Sequence, residues 1–173
     1  RDAMPQPAGK VIAGNWKMHH GPAATLDFFR TFQLQESPGH TSVILFPPAV
    51  SFAAARQGIG KSRGVSLGVQ NIHWEPKGAF TGELSAEMAA EAGASFALVG
   101  HSERRHGFGE TDAETRLKVE AALRAGLTPI LCVGETLEER TGGQMEAVVI
   151  RQLDAVLSVA GGTLQRSGRE GAG

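Results

Sequence analysis

The 173 residues hold one cysteine, Cys132. A single thiol excludes an internal disulfide framework and fits a reducing, cytoplasmic compartment. The six histidines are scattered and no His/Cys pair has ligand spacing, so no metal site is expected. An excess of charge of either sign is also lacking: 17 Lys and Arg stand against 18 Asp and Glu, a net charge of -1. That balance gives no electrostatic footprint for nucleic acid or for an anionic membrane. No run approaches the ~18 continuous apolar residues of a spanning helix, and no secretory signal opens the sequence. Neither G-x-G-x-x-G nor G-x-x-x-x-G-K-S/T follows a strand, which argues against an open-sheet nucleotide binder.

What is present is the composition of one globular domain: 41% apolar and 20% charged residues. Glycine is the outlier at 23 residues, roughly double the usual share. Most of these glycines stand singly between apolar runs, where tight turns or close approach to a ligand need them. Residues 1–9 form a polar, Pro-rich lead with no need to fold, and Met4 stands there as a candidate initiator. Short apolar runs then alternate with helical patterns. Val11-Ile12-Ala13 reads as a buried strand, Pro22 to about Gln33 as a helix with Leu26 and Phe29 on one side, Ser42–Phe46 as a strand and Ala49–Gln57 as a helix. Val65–Gln70 reads as a third strand, followed by a short helix capped by Ser85 and stopped by Gly93, then Phe96–Val99 as a fourth. Thr111-Asp112-Ala113-Glu114 has the form of a capping box, opening a helix with Leu117, Ala121 and Ala125 on one stripe. Thr128–Val133 is the fifth strand, and Met145, Val148, Val149, Leu153, Val156, Leu157 and Ala160 mark the strongest amphipathic helix. Five strand-helix units imply a parallel sheet with right-handed crossovers; alternation alone does not separate a barrel from a doubly wound sheet. Residues 161–173, with five glycines, read as a disordered tail.

Ligands of parallel α/β proteins bind at the C-terminal ends of the strands. After the first strand come Asn15 and Lys17, open between an anion-binding lysine positioned by Asn15 and a solvated turn. After the fourth comes His101, beside a helix N-terminus whose dipole favours a neutral, hydrogen-bonding imidazole; a structural histidine is the plain alternative. Glu103 serves either in acid-base chemistry or, by its setting, as the ion-pair partner of Arg104. Cys132 lies in an apolar run and reads as a buried, inert thiol. The segment Asn71–Leu84 is long for a βα loop and carries Trp74, Phe80 and the Thr81-Gly82-Glu83 tip. It reads equally as an insertion into a partner or as a self-packed surface loop.

Taken together, Ala13-Gly14-Asn15-Trp16-Lys17-Met18, Leu98-Val99-Gly100-His101-Ser102-Glu103-Arg104-Arg105 and Pro129-Ile130-Leu131-Cys132-Val133-Gly134-Glu135 resemble three N-terminal signatures of the triosephosphate isomerase family. Gly68-Val69-Gln70-Asn71 and Gly78-Ala79-Phe80-Thr81-Gly82-Glu83 are similar to its third-strand end and interface loop, in the same order. The resemblance covers about residues 10–160. It implies a (β/α)₈ barrel of the TIM type and interconversion of dihydroxyacetone phosphate with D-glyceraldehyde 3-phosphate, without cofactor or metal. It assigns Asn15 and Lys17 to substrate binding and His101 to the role of neutral electrophile; this family is itself the standing example of a histidine kept neutral by a helix N-terminus. It makes Glu103 a supporting carboxylate near Lys17 and Cys132 a packing residue, and it sends Thr81, Gly82 and Glu83 into a neighbouring subunit of a homodimer, with Arg104 as a partner for Glu83. His19 stands where the family often has Asn, with little consequence expected.

The departure is at the far end. The family's general base is a Glu in an Ala-Tyr-Glu-Pro-Val-Trp-like segment on strand six, followed by a Gly-Thr-Gly lid and two Gly/Ser-rich phosphate loops. None of these occurs in the 173 residues. The expectation is an incomplete barrel of about five of eight units over residues 10–160, a truncated or fragmentary isomerase inactive alone. The alternative is a non-catalytic half-barrel remnant that binds sugar phosphate weakly or serves as a dimerisation module.

Overall fold

The computed structural model describes residues 10–32, 34, 41–60 and 64–167. The lead 1–9, Gln33 and the end of the expected tail, 168–173, lie outside them. Five strands alternate with helices in the order expected of βα units: β1 (Lys10–Asn15), α1 (Pro22–Thr31), β2 (Thr41–Phe46), α2 (Phe52–Ile59), β3 (Val65–Val69), α3 (Ala86–Glu91), β4 (Phe96–Val99), α4 (Ser102–Gly107), α5 (Asp112–Arg124), β5 (Thr128–Leu131), α6 (Leu137–Thr141) and α7 (Met145–Ser167). The fold is α/β of the TIM-barrel type, incomplete at five strands among the described residues. No described helix is long and apolar enough to cross a membrane.

Two compact units divide the chain: one built from residues up to Gln70 with Ala89–Phe96, the other from Asn71–Met88 and the residues from Ala97 on. In the first unit β1 pairs in parallel with β2, Lys10 opposite Thr41 through Asn15 opposite Phe46, and β2 pairs in parallel with β3. Ser95, at the entry to β4, donates its N–H to the Leu67 carbonyl of β3 (2.9 Å). The core of this unit is the run Val43–Phe46 of β2 with Leu67 and Val69 of β3 and Phe52 and Ala55 of α2. β1 departs from its expected burial, with Val11 44% and Ile12 59% exposed. A parallel strand is buried only when both its faces are covered, and the only ladder recorded for β1 among the described residues is the one to β2. Gly58 of α2 is needed for helix packing, because a Cβ there would sit 2.6–2.8 Å from the Phe29 side chain of α1.

In the second unit, Cys132 donates its N–H to the Val99 carbonyl (2.9 Å), so the chain leaving β5 runs beside β4. Val99, Val119 of α5 and Val156 of α7 form the buried cluster here, with Leu123, Leu131 and Ala155 against it. α5 starts where its sequence says, at a complete capping box of Thr111 and Glu114; besides the expected Ala121 it buries Thr115, Lys118, Val119 and Ala122. These follow i, i+3, i+4, i+7 spacing; Leu117, expected inside, is 37% exposed. A second capping box, Thr136 with Glu139, starts α6. α7 continues helical past Ala160 to Ser167, into the segment read from sequence as a disordered tail. β5 ends at Leu131, two residues early, where Gln152 of α7 accepts the Gly134 N–H (2.8 Å) and donates to its carbonyl (3.1 Å).

Candidate active site

The first unit places Asn15 and Lys17 at the C-terminal end of β1. Asn15 Oδ1 accepts the Lys17 N–H (2.9 Å), a local turn that bends the chain sharply off the strand. Lys17 takes φ of +52°, the left-handed region that costs a non-glycine residue about 1–2 kcal/mol. Such a conformation persists where the surroundings over-determine it, and here they do. Gln70, just beyond β3, donates its Nε2 to the Lys17 carbonyl (2.8 Å) and to the Phe46 carbonyl (2.9 Å). The Trp16 N–H donates to the same Phe46 carbonyl (3.1 Å). His20, also left-handed at φ +66°, has its carbonyl taken by Ser51 Oγ (2.7 Å) and Thr25 Oγ1 (3.2 Å). The Trp16 ring packs edge-on against His20 and Phe28, centroids 5.1 and 5.0 Å away. The segment from Asn15 to His20 is therefore fixed at both ends.

The second unit places His101 at the C-terminal end of β4, as the N-cap of α4. Its Nδ1 accepts the Glu103 N–H (3.3 Å), an arrangement in which a neutral ring holds its proton on Nε2. The Glu103 carboxylate also stands 3.5 Å from Nδ1, a contact that would be an ion pair only with a protonated ring. An Nε2–H donor on a strand-end loop can polarise a carbonyl and hydrogen-bond the oxyanion formed from it.

Arg104, read in the sequence as the ion-pair partner of Glu103, donates its Nε to Glu110 Oε2 (3.0 Å). Glu110 is the centre of a buried network that the sequence reading missed. Its Oε1 accepts the Gly100 N–H (3.0 Å), directly before His101, and its Oε2 also accepts from Lys118 Nζ. Lys118 Nζ in turn donates to Asn71 Oδ1 (2.8 Å). Only 3% of the Glu110 side chain and 6% of that of Lys118 are exposed. Burial pushes the Glu110 carboxyl up, but the Lys118 ammonium and then the Arg104 guanidinium outweigh it and hold it below its ordinary 4.5. Asp112 is similar: burial raises it, and Arg105 (2.6 Å) with Arg151 (3.0 Å) bring it below its ordinary 3.8. Cys132, expected to be buried, is half-buried; that burial raises its thiol above the ordinary range, against the opposing charge of Arg105.

These carboxylates set the acid limb of stability. Their pKa values are lower folded than unfolded, so below about 4.5 the unfolded chain binds more protons and stability falls with pH. The contribution is complete above their ordinary values and is lost as pH drops through the folded ones. Acid titration followed by circular dichroism is expected to show a cooperative loss of structure below about pH 4, and Glu110→Gln should flatten that limb. A stability unchanged between pH 6 and 3 would contradict the assignment.

The loop 71–84 is self-packed: the His73 ring lies between Trp74 and Phe80, both at centroid distances of 4.2 Å, and the His73 N–H bonds the Leu84 carbonyl (2.7 Å). Its tip turns at Gly82, φ +92°. Phe80 is nonetheless 42% exposed. Thr81, Glu83 and Arg104 line the same open cleft of 340 Å³, together with His73, Trp74 and Lys118. Among the described residues no group of three or more His, Cys, Asp or Glu could hold a metal ion.

The family model described as triosephosphate isomerase matches residues 10–166. The chain belongs to the triosephosphate isomerase family. It is 49% identical over 146 residues to the triosephosphate isomerase of Nostoc punctiforme, an alignment of 83% of this chain and 60% of that one. It is 48% identical over 146 residues to that of Acaryochloris marina, with the same coverage, and 44% identical over 157 residues to that of Solibacter usitatus, covering 90% of this chain and 62% of the relative. The chain thus spans about 60% of the length of these curated relatives. Within the family match, the strand-end residues Asn15, Lys17 and His101 are the ones the resemblance singled out, and Glu103 lies against His101 in the same unit.

Proposed function

We propose that this chain carries the substrate-binding and electrophilic part of a triosephosphate isomerase. In this reading Lys17 neutralises the phosphate and the developing enediolate, with Asn15 fixing its turn. His101 donates its Nε2–H to the carbonyl oxygen. A base removes a proton from the hydroxyl-bearing carbon beside that carbonyl, the hydroxyl proton passes from its oxygen to the former carbonyl oxygen of the enediolate, and a proton returns to the former carbonyl carbon. Nothing in that sequence of proton transfers consumes a metal or a nicotinamide. Glu103 supports the site as a carboxylate beside His101. The base belongs to the Glu-Pro-x-Trp segment that residues 1–173 do not contain.

Dimerisation through the loop 71–84 belongs to the same reading: the tip Thr81-Gly82-Glu83 enters a second copy, where Glu83 meets Arg104 of the partner subunit. The exposed Phe80 near the loop's tip supports it. The same reading places the chain in the cytoplasm, as a glycolytic and gluconeogenic enzyme with a lone thiol.

The observation that carries the proposal is the family match over residues 10–166. The test uses the chain as it stands. Glycerol 3-phosphate, followed by NMR shifts, is expected to bind, and Lys17→Met should weaken binding by about 10- to 100-fold, the worth of one charge-assisted bond. Turnover of dihydroxyacetone phosphate should lie at least ~10²-fold below that of a full-length relative, the usual worth of a general base. Turnover equal to the relative's would refute the assignment of the base, and binding indifferent to Lys17 would refute the site.

A further inference from the structure

We infer that Gln70 is a positioning residue for Lys17, an inference that rests on the proposed function above. The argument begins with the inventory of its side chain. A glutamine amide has two N–H hydrogens and one acceptor oxygen. Both groups met by the Gln70 amide, the carbonyls of Lys17 (2.8 Å) and Phe46 (2.9 Å), are acceptors. Only the NH₂ can face them, and it serves both at once. Aspartate, glutamate, serine or a hydrocarbon side chain cannot make that pair of bonds, and asparagine is one methylene short.

What the two bonds join is informative. Phe46 is the last residue of β2 and is fully buried, so its carbonyl is a fixed point of the core. Lys17 is exposed and left-handed. Its N–H is held by Asn15 Oδ1, on the last residue of β1. Gln70 holds the opposite side of the strained residue, its carbonyl, and ties it to the core from 53 positions along the chain. Releasing the carbonyl lets φ return to negative values, which swings the Cα–Cβ bond and redirects the whole lysine stem. The ammonium would keep its charge and lose its address.

The experiment compares the wild-type chain with Gln70→Met and the isosteric Gln70→Glu, both lacking the donors. Two quantities are read: the intraresidue amide-to-Hα NOE of Lys17, strong only at positive φ, and the dissociation constant for glycerol 3-phosphate. In the wild type the NOE should be strong. In both variants it should collapse to the ordinary weak value while affinity falls about tenfold, as expected for two lost hydrogen bonds. If one variant fails to fold, the other carries the test. A Lys17 NOE that stays strong overturns the inference, as does an NOE that collapses with affinity unchanged. A wild type that does not bind glycerol 3-phosphate sinks the function proposed above instead, and the NOE comparison still decides whether Gln70 sets the Lys17 backbone.

Discussion

Lys118→Met should lower the free energy of unfolding by about 3 kcal/mol, read from urea denaturation. Breaking a buried ion pair by removing one partner typically costs 3–5 kcal/mol, because it leaves an uncompensated charge. The low end applies here because Glu110 keeps two partners, Arg104 Nε and the Gly100 N–H. Adding Glu110→Gln to the same chain should recover part of the loss. The amide oxygen still serves Gly100, and Arg104, 29% exposed, can turn to water. The two substitutions should therefore be strongly non-additive, as side chains in one network are. A Lys118→Met chain within about 1 kcal/mol of wild type would show that water, not Lys118, compensates Glu110.

Gly68→Ala should cost about as much, for a purely steric reason. A Cβ on Gly68 would sit 2.2 Å from Phe46 Cε1 and 2.6 Å from its Cδ1, and 2.9 Å from the Phe96 carbonyl oxygen. Phe46 is fully buried in β2 and cannot swing out, and the Phe96 oxygen is backbone. Overpacking a filled core costs typically 1–3 kcal/mol, and with no yielding neighbour the upper value, about 3 kcal/mol, is expected. A second change, Phe46→Leu, should restore part of it by vacating the ring's space. A Gly68→Ala chain as stable as the parent would mean that the β3 backbone shifts freely, contrary to its pairing with β2 through Val43–Val65 and Leu45–Leu67.

The parts of the fold that were legible in the sequence are those governed by local rules. Phe96–Val99 is a strand between the residues expected, because four apolar residues between Ser95 and Gly100 leave no alternative. The capping box at Thr111 and the cap of Ser85, whose Oγ accepts the Met88 N–H (3.1 Å), are equally local. α5 misled because two stripes compete on it. Of the expected Leu117, Ala121 and Ala125 only Ala121 is fully buried, and Thr115, Lys118, Val119 and Ala122 face inward as well, since a distant carboxylate, Glu110, makes a buried lysine acceptable. No spacing rule announces a pair eight residues apart across a turn. The strand-end residues Asn15, Lys17 and His101 were found from position and resemblance. The partners that hold Lys17 and its strand, Gln70 and the Phe46 carbonyl, depend on the sheet register and become visible only once β1, β2 and β3 are laid side by side.

The aromatic packing has an optical consequence. The chain has two tryptophans and no tyrosine, and each compact unit holds one indole: Trp16 against His20 and Phe28 in the first, Trp74 stacked on His73 in the second. Emission excited near the indole band is thus the sum of two reporters, each beside an imidazole able to quench it when protonated. Removing either indole leaves a single-colour readout of the other half, and melting of the two halves can be timed separately without any attached dye.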